Sequence, residues 1–203
     1  MEAICTACGF KQEIEEIHGI NVAEHPELKA RVRDGSLFVW ECPCCGQRNL
    51  AVFQTLYHDP ARKLMIWLLP GGGRPPEAVE QAVKDLEGYT LRRVRDAGDL
   101  IEKVNIAEAG LDDTVMELCK YVAAMEMGGK DESALDARFR FLRMEGADND
   151  LVLAFPSGNG MKAVNIGFNL YEDAGAILER NPGAAPGKGF ACVDREWVNN
   201  FFR

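Results

Sequence analysis

The sequence contains no apolar run long enough to cross a bilayer. Its longest, Leu64 to Pro70, is seven residues, against the roughly 20 that a spanning helix needs. It also has no surplus of positive charge. Lys and Arg number 23 against 32 Asp and Glu, a net charge of -9. The first 70 residues hold 7 basic and 9 acidic side chains, the remaining 133 hold 16 and 23. Neutralising a nucleic-acid backbone or an anionic membrane takes clustered Lys and Arg, so both partners are disfavoured. There are only three histidines, and the glycines at 71–73 lack the Lys-Ser/Thr and strand–helix setting of a phosphate loop. Low-complexity segments are missing. Met1-Glu2 leads straight into a cysteine pair with no charged-then-apolar leader. Seven cysteines without one point to a reducing compartment, and the expected location is cytoplasmic. With 47% apolar and 27% charged residues, the chain has the composition of an ordinary globular protein.

Its clearest chemistry lies in four of the cysteines. Cys5 and Cys8 in ICTACGFK, and Cys42 and Cys45 in ECPCCGQR, form two C-x-x-C-G-x-[KR] elements. A C-x-x-C turn lets two thiolates reach one ion from the same side, and the following Gly can adopt a conformation closed to most residues. Two such knuckles complete the closed tetrahedral four-thiolate geometry of a structural zinc site. Zinc is the expected metal on ligand softness, with single iron in a rubredoxin-like site as the alternative. A redox dithiol is disfavoured because the βαβ context is missing. Lys11 and Arg48 lie close enough in sequence to offset part of the thiolate charge. Cys44 reads as a bystander between ligands, and Cys119 and Cys192 as buried small hydrophobes.

Periodicity places the rest. A short helix over 26–34 starts at Pro26 and ends at Gly35, and accounts for the 33 residues between Cys8 and Cys42. Phe10, Ile14 and Ile17 are spaced for a helix, but a knuckle at the turn of a hairpin favours a strand there, continued by His18 to Val22; Ser36 to Cys42, Asn49 to Tyr57 and Lys63 to Leu69 also read as strands. PGGGRPP (70–76) is the clearest linker and divides a region 1–70 from a region 75–203. The second region opens with a helix closed by Gly88 and a strand at 89–95. Helices capped by Asp99 and Asp112 follow, the latter with Val115, Leu118, Cys119, Val122 and Met125 on one face and an end at Gly128-Gly129. From Ala137 the period changes to two, predicting a three-stranded antiparallel meander turning at Ser157-Gly158-Asn159-Gly160. A helix capped by Asn169, a short strand at 190–193 and a final helix capped by Asp194 complete the chain. The fold class is α+β: an N-terminal zinc ribbon with a helical insertion, then a mixed region with an antiparallel sheet and amphipathic helices.

Other candidate sites are weaker. His18, His25 and His58 read as turn and surface residues. Tyr57-His58-Asp59 suggests a base and its orienter, but the sequence places no nucleophile beside it. Arg92, Arg93 and Arg95 with Arg138, Arg140 and Arg143 would make an anion-binding face if their two strands pair.

ICTACG, ECPCCG and LYHDPARKLMIWLLP resemble the bacterial and archaeal CpXC family, named for its C-P-x-C knuckle. INVAEHPELKARVRDGSLFVWECPCCG matches that family's order of helix, strand and second knuckle, and LIEKVNIAEAGLDDTVMELCKYV resembles the segment that follows. The likeness covers about the first 125 residues; residues 137–203 are similar to the tail many members carry. It implies that the four family cysteines are Cys5, Cys8, Cys42 and Cys45. Thr6-Ala7 departs from the C-P-x-C pattern while keeping the ligand spacing. The family is functionally uncharacterised, so the resemblance implies the site and no activity.

The expected function is therefore a zinc-binding, non-enzymatic interaction module, whose partner is a protein or a second copy. A nucleic-acid-binding regulator and an enzyme with its site in residues 71–203 are the alternatives. The sequence leaves a small-molecule ligand open.

Overall fold

The computed structural model describes residues 1–83, 86–128, 137–158 and 160–201. It divides into two compact units, Met1–Ile101 and Glu102–Arg203, and its class is mixed α+β. Gly129 and Asn159, expected at a helix end and a hairpin turn, lie outside the described residues, as do Lys84 and Asp85 of the helix expected to close at Gly88.

The first unit opens with a hairpin of β1 (Glu2–Ile4) and β2 (Lys11–Glu13), in which Ile4 faces Lys11. β3 (Gly19–Asn21) leads into α1 (Pro26–Arg33). Helix α1 starts at proline as expected, because a first-turn residue needs no amide donor. It stops where Gly35 turns left-handed, at φ 77°. Ser36–Phe38, expected as the start of a strand, is instead a 3-10 turn, and β4 (Val39–Glu41) follows it. Asp34 accepts the Ser36 N–H at 2.8 Å, and Leu37 and Phe38 are both buried, which an alternating strand would not allow.

The strand expected over Asn49 to Tyr57 is two strands in different sheets. β5 (Arg48–Leu50) pairs with β4, and β6 (Thr55–Asp59) joins a four-stranded sheet. Between them Ala51 and Phe53 are buried, and the Thr55 hydroxyl donates to the carbonyls of Ile17 and Phe53. The larger sheet runs β3-β6-β7-β8, with β7 at Leu64–Leu68 and β8 at Thr90–Val94. The β6–β7 pair is antiparallel and the outer pairs are parallel. Ile20, Tyr57 and Ile66 stand side by side in its register and are almost wholly buried. The Pro/Gly stretch 70–76 and α2 (Glu77–Val83) connect β7 to β8 within this unit.

Helix α3 (Ala97–Glu108) continues across the division between units. Its first turn is capped by Asp96, which accepts the Asp99 N–H at 2.9 Å, so the cap lies three residues before the expected Asp99. Asp112 accepts the Thr114 N–H at 2.7 Å and caps α4 (Asp113–Gly128) as expected.

The second unit contains the meander β9 (Arg140–Glu145), β10 (Asp150–Ser157) and β11 (Gly160–Ile166), ordered β11-β10-β9 and antiparallel throughout. Leu151, Leu153 and Phe155 on β10 pack with Met116 and Cys119 of α4, and Phe139 stacks on Phe155 with centroids 4.5 Å apart. α5 (Phe168–Arg180) begins at Gly167 without a side-chain cap, so the cap expected from Asn169 does not form. Residues 190–193, expected as a strand, form only a single bridge residue at Ala191 and join none of the four sheets among the described residues. Asp194 accepts the Trp197 N–H at 3.1 Å and caps α6 (Arg195–Phe201). Strands β8 and β9 belong to different sheets, so the arginine face conditional on their pairing is not built.

Charge is buried beside the meander. Lys120 on α4 reaches Glu102 on α3 at 2.9 Å and Glu117, one turn back, at 2.7 Å. Glu102 also accepts the Phe141 N–H at 2.7 Å. Lys103 pairs with Asp113 at 2.7 Å. All five charged side chains are buried. Burial opposes the charge on Lys120, but Glu102 and Glu117 outweigh it and raise the pKa.

Candidate metal centre

The two cysteine knuckles are built alike. In the first, the Cys5 N–H donates to the Phe10 carbonyl at 2.8 Å, and the Cys5 carbonyl accepts the Gly9 N–H at 3.0 Å. In the second, the Cys42 N–H donates to Gln47 at 2.9 Å, and the Cys42 carbonyl accepts from Gly46 at 2.8 Å. Gly9 and Gly46 close these turns at φ 75° and 73°, a region where a side chain is strained. Each knuckle is thus the turn of a two-stranded hairpin, β1–β2 or β4–β5.

Period-two alternation decides which way the side chains face. Ala3 and Cys5 turn inward from β1, and Cys42 and Asn49 from the second hairpin; all four are buried. Ile4, Lys11, Arg48 and Leu50 are left outside, with Ile4 55% and Leu50 69% exposed. The sulfurs interleave between hairpins. Cys5 Sγ lies 3.6 Å from Cys45 Sγ, and Cys8 Sγ 3.6 Å from Cys42 Sγ. All four sulfurs are within 4.8 Å of one another. All four thiols are free, since a disulfide would hold its sulfurs about 2.05 Å apart. A metal–sulfur distance of about 2.3 Å puts neighbouring corners of a tetrahedron about 3.8 Å apart, so the donor set fits a tetrahedrally coordinated ion.

The electrostatics fit the same ion. Burial pushes the Cys5 thiol up, but the Cys8 and Ala7 amides, with Asn49 and Cys45, outweigh it and bring the pKa down to about 6. At Cys45, which is exposed, the Gln47 amide favours the thiolate, yet the thiols of Cys8, Cys5 and Cys42 and some loss of solvation push it up to about 12. Four sulfurs this close cannot all ionise unless a cation stands among them.

Lys11, expected to offset the thiolate charge, turns to Glu2 at 2.9 Å instead. The compensation comes from backbone amides and from Asn49, a residue that no motif singles out. Asn49 is a buried amide in a three-residue strand. Asn is a poor strand former, and its place four residues after Cys45 is the signal the sequence offers.

The histidines stand apart. His18 contacts the Gln54 carbonyl and Glu16, and His25 contacts Glu27. His58 meets the Tyr89 hydroxyl at 3.2 Å. Asp59, its neighbour on the strand, turns to the opposite face and bonds Lys29 and Arg62, so the base-and-orienter pair does not form. Burial opposes ionisation of Asp59, but the Arg62 amide and the Lys29 and Arg62 side chains outweigh it and hold the carboxyl below its usual range. A depressed pKa contributes stability above the unfolded value of about 3.9, and that contribution is lost as pH falls through the folded value. Asp59→Asn is therefore expected to destabilise the protein at pH 7. The gap to wild type should close below about pH 4, as read by denaturant midpoints across that range.

Cys44 is exposed and lies outside the cluster. Cys44→Ser is expected to leave bound metal unchanged in elemental analysis, whereas a loss would put Cys44 in the ligand set. Cys119 is buried as expected, and burial raises its pKa to about 12. Cys192 is only half-buried, and its thiol donates to Asp194 at 3.1 Å, which corrects its reading as a buried hydrophobe. Among the described residues no helix is long and apolar enough to cross a membrane.

Both knuckles fall inside the segment 4–120 that matches a family model described as CpXC protein. An uncharacterized protein of Treponema pallidum (strain Nichols) is 34% identical over 64 residues, covering 32% of this chain and 29% of that protein. The chain thus aligns with under a third of that relative's length. No solved structure matches the chain.

Proposed function

The chain belongs to the CpXC family, and from that premise we propose that Cys5, Cys8, Cys42 and Cys45 hold one structural zinc ion that clamps the two hairpins into a zinc ribbon. The single observation that carries this reading is the convergence of four free sulfurs from two separate hairpins to within 4.8 Å. Thiolate softness favours zinc over harder cations. Four protein ligands leave no open coordination position, so the ion would not activate water, and the role is structural rather than catalytic.

The clamped ribbon serves to present a surface to a protein partner. Supporting this is the outward exposure of Ile4 and Leu50, one from each hairpin. The test is substitution with cobalt(II), whose absorption reports its ligands. A four-thiolate reading predicts intense sulfur-to-cobalt charge-transfer bands and tetrahedral ligand-field bands. A spectrum lacking sulfur charge transfer would defeat it. Purified protein that is red and carries iron would keep the site and change the metal.

A further inference from the structure

Asn49 stands where the two hairpins meet. Its Oδ1 accepts the Thr6 N–H at 2.9 Å and the Thr6 hydroxyl at 3.0 Å. Its Nδ2 donates to the Gln47 carbonyl at 2.9 Å and to Cys5 Sγ at 3.6 Å. A side-chain amide has two donor hydrogens and one oxygen with two acceptor positions, and here all four are used. The amide is buried, 6% exposed, where each unmet position would cost free energy. A residue this fully committed, in a strand of three, is placed for its contacts and not for its packing.

The first hairpin supplies an internal control. Gln12 lies four residues after Cys8, as Asn49 lies four after Cys45. The Gln12 amide oxygen is buried with no hydrogen-bond partner among the described residues. The knuckles therefore repeat in backbone but not in what supports them. The second hairpin reaches across to the first through Thr6 and Cys5.

We propose that Asn49 is the positioning residue of the four-thiol centre, tying the first knuckle to the second through Thr6 and holding the Cys5 sulfur by an N–H···S bond, so that it governs how fast bound metal is released. This rests on the metal reading above. An N–H donor aimed at a metal-bound thiolate draws charge from the sulfur, orients it and slows its departure. Both jobs fall to one side chain, and single substitutions separate them. Asn49→Ala removes both. Asn49→Asp keeps an oxygen for Thr6 but offers Cys5 no N–H. Thr6→Val removes one of the two bonds to Oδ1 and leaves the sulfur contact in place.

The experiment uses the full chain loaded with cobalt(II), reading the charge-transfer band and the rate of metal transfer to a competing chelator. Asn49→Ala and Asn49→Asp are expected to move the band to lower energy and speed transfer about 10–100-fold. Thr6→Val is expected to leave the band where it is. If Asn49→Ala fails to fold, Asn49→Asp decides alone. Asn49→Asp with wild-type band and transfer rate would overturn the proposal, and so would a band shift in Thr6→Val as large as that in Asn49→Asp. Failure of the wild-type chain to give a four-thiolate cobalt spectrum is a separate result and would remove the metal reading itself.

Discussion

Cys5→Ser is expected to abolish stoichiometric zinc binding and to release both hairpins from their folded state. Cys5 is the buried cysteine of the first knuckle, with its sulfur 3.6 Å from that of Cys45 and bonded by Asn49. A serine hydroxyl in its place is a harder, shorter donor that stays protonated near neutral pH, so the site keeps three thiolates and loses its closed geometry. The structural consequence is large because the hairpins are small. Strands β1, β2, β4 and β5 have three residues each, and isolated two-stranded hairpins are marginal in water even when longer. Structural zinc supplies on the order of 10–16 kcal/mol of apparent binding free energy at neutral pH, and under the zinc proposal that energy would become folding energy. Amide exchange should therefore accelerate over residues 4–13 and 39–50 in the mutant. Ile20, Tyr57 and Ile66 in the four-stranded sheet keep their own packing, so their amides should remain protected. Retained zinc with unchanged exchange over both hairpins would contradict this.

Lys120→Met is expected to destabilise the second unit by roughly 3–5 kcal/mol, the usual cost of removing one partner from a buried ion pair. Lys120 Nζ lies 2.9 and 3.1 Å from the two oxygens of Glu102 and 2.7 Å from Glu117. Methionine fills much of the same volume but leaves two buried carboxylates facing one another. Glu117 already shows the strain: burial raises its pKa against the pull of Lys120 and Lys103. The sign with pH follows from Lys120, whose folded pKa is raised. Its contribution is fully present below the unfolded value of about 10.4 and is lost as pH rises through the folded value. The wild-type advantage should thus persist at pH 7 to 9 and fade in strong alkali. Denaturant unfolding followed through the second unit checks it. A loss below about 1 kcal/mol, the range of exposed pairs, would show that the network is solvated.

These residues mark what local sequence could reveal. The knuckles were legible because their chemistry is local: two thiols at C-x-x-C spacing and a glycine at φ near 75° specify one turn wherever they occur. Helix α1 and the meander were legible for the same reason, through Pro26 and a change of period at Ala137. What escaped depends on distant partners. Asn49 is a strand residue as expected, but its bond to Thr6, 43 positions away, is invisible in the local pattern. The apolar period of α4 puts Val115, Leu118, Cys119, Val122 and Met125 on one face. Met125 is 53% exposed, while Lys120 and Glu117 are buried, because α3 brings charges that make their burial tolerable. The strand expected over 49–57 is interrupted because Ala51 and Phe53 turn inward, and β6 pairs with β3 and β7.

The measurement closest to the central claim is the metal content of the full chain, purified without chelators and without added metal, by elemental analysis. About one zinc per chain is expected from four thiolate ligands, lost on mild acidification as the thiolates take up protons and regained on neutralisation. A metal content near zero in folded protein with all four thiols reduced would contradict it.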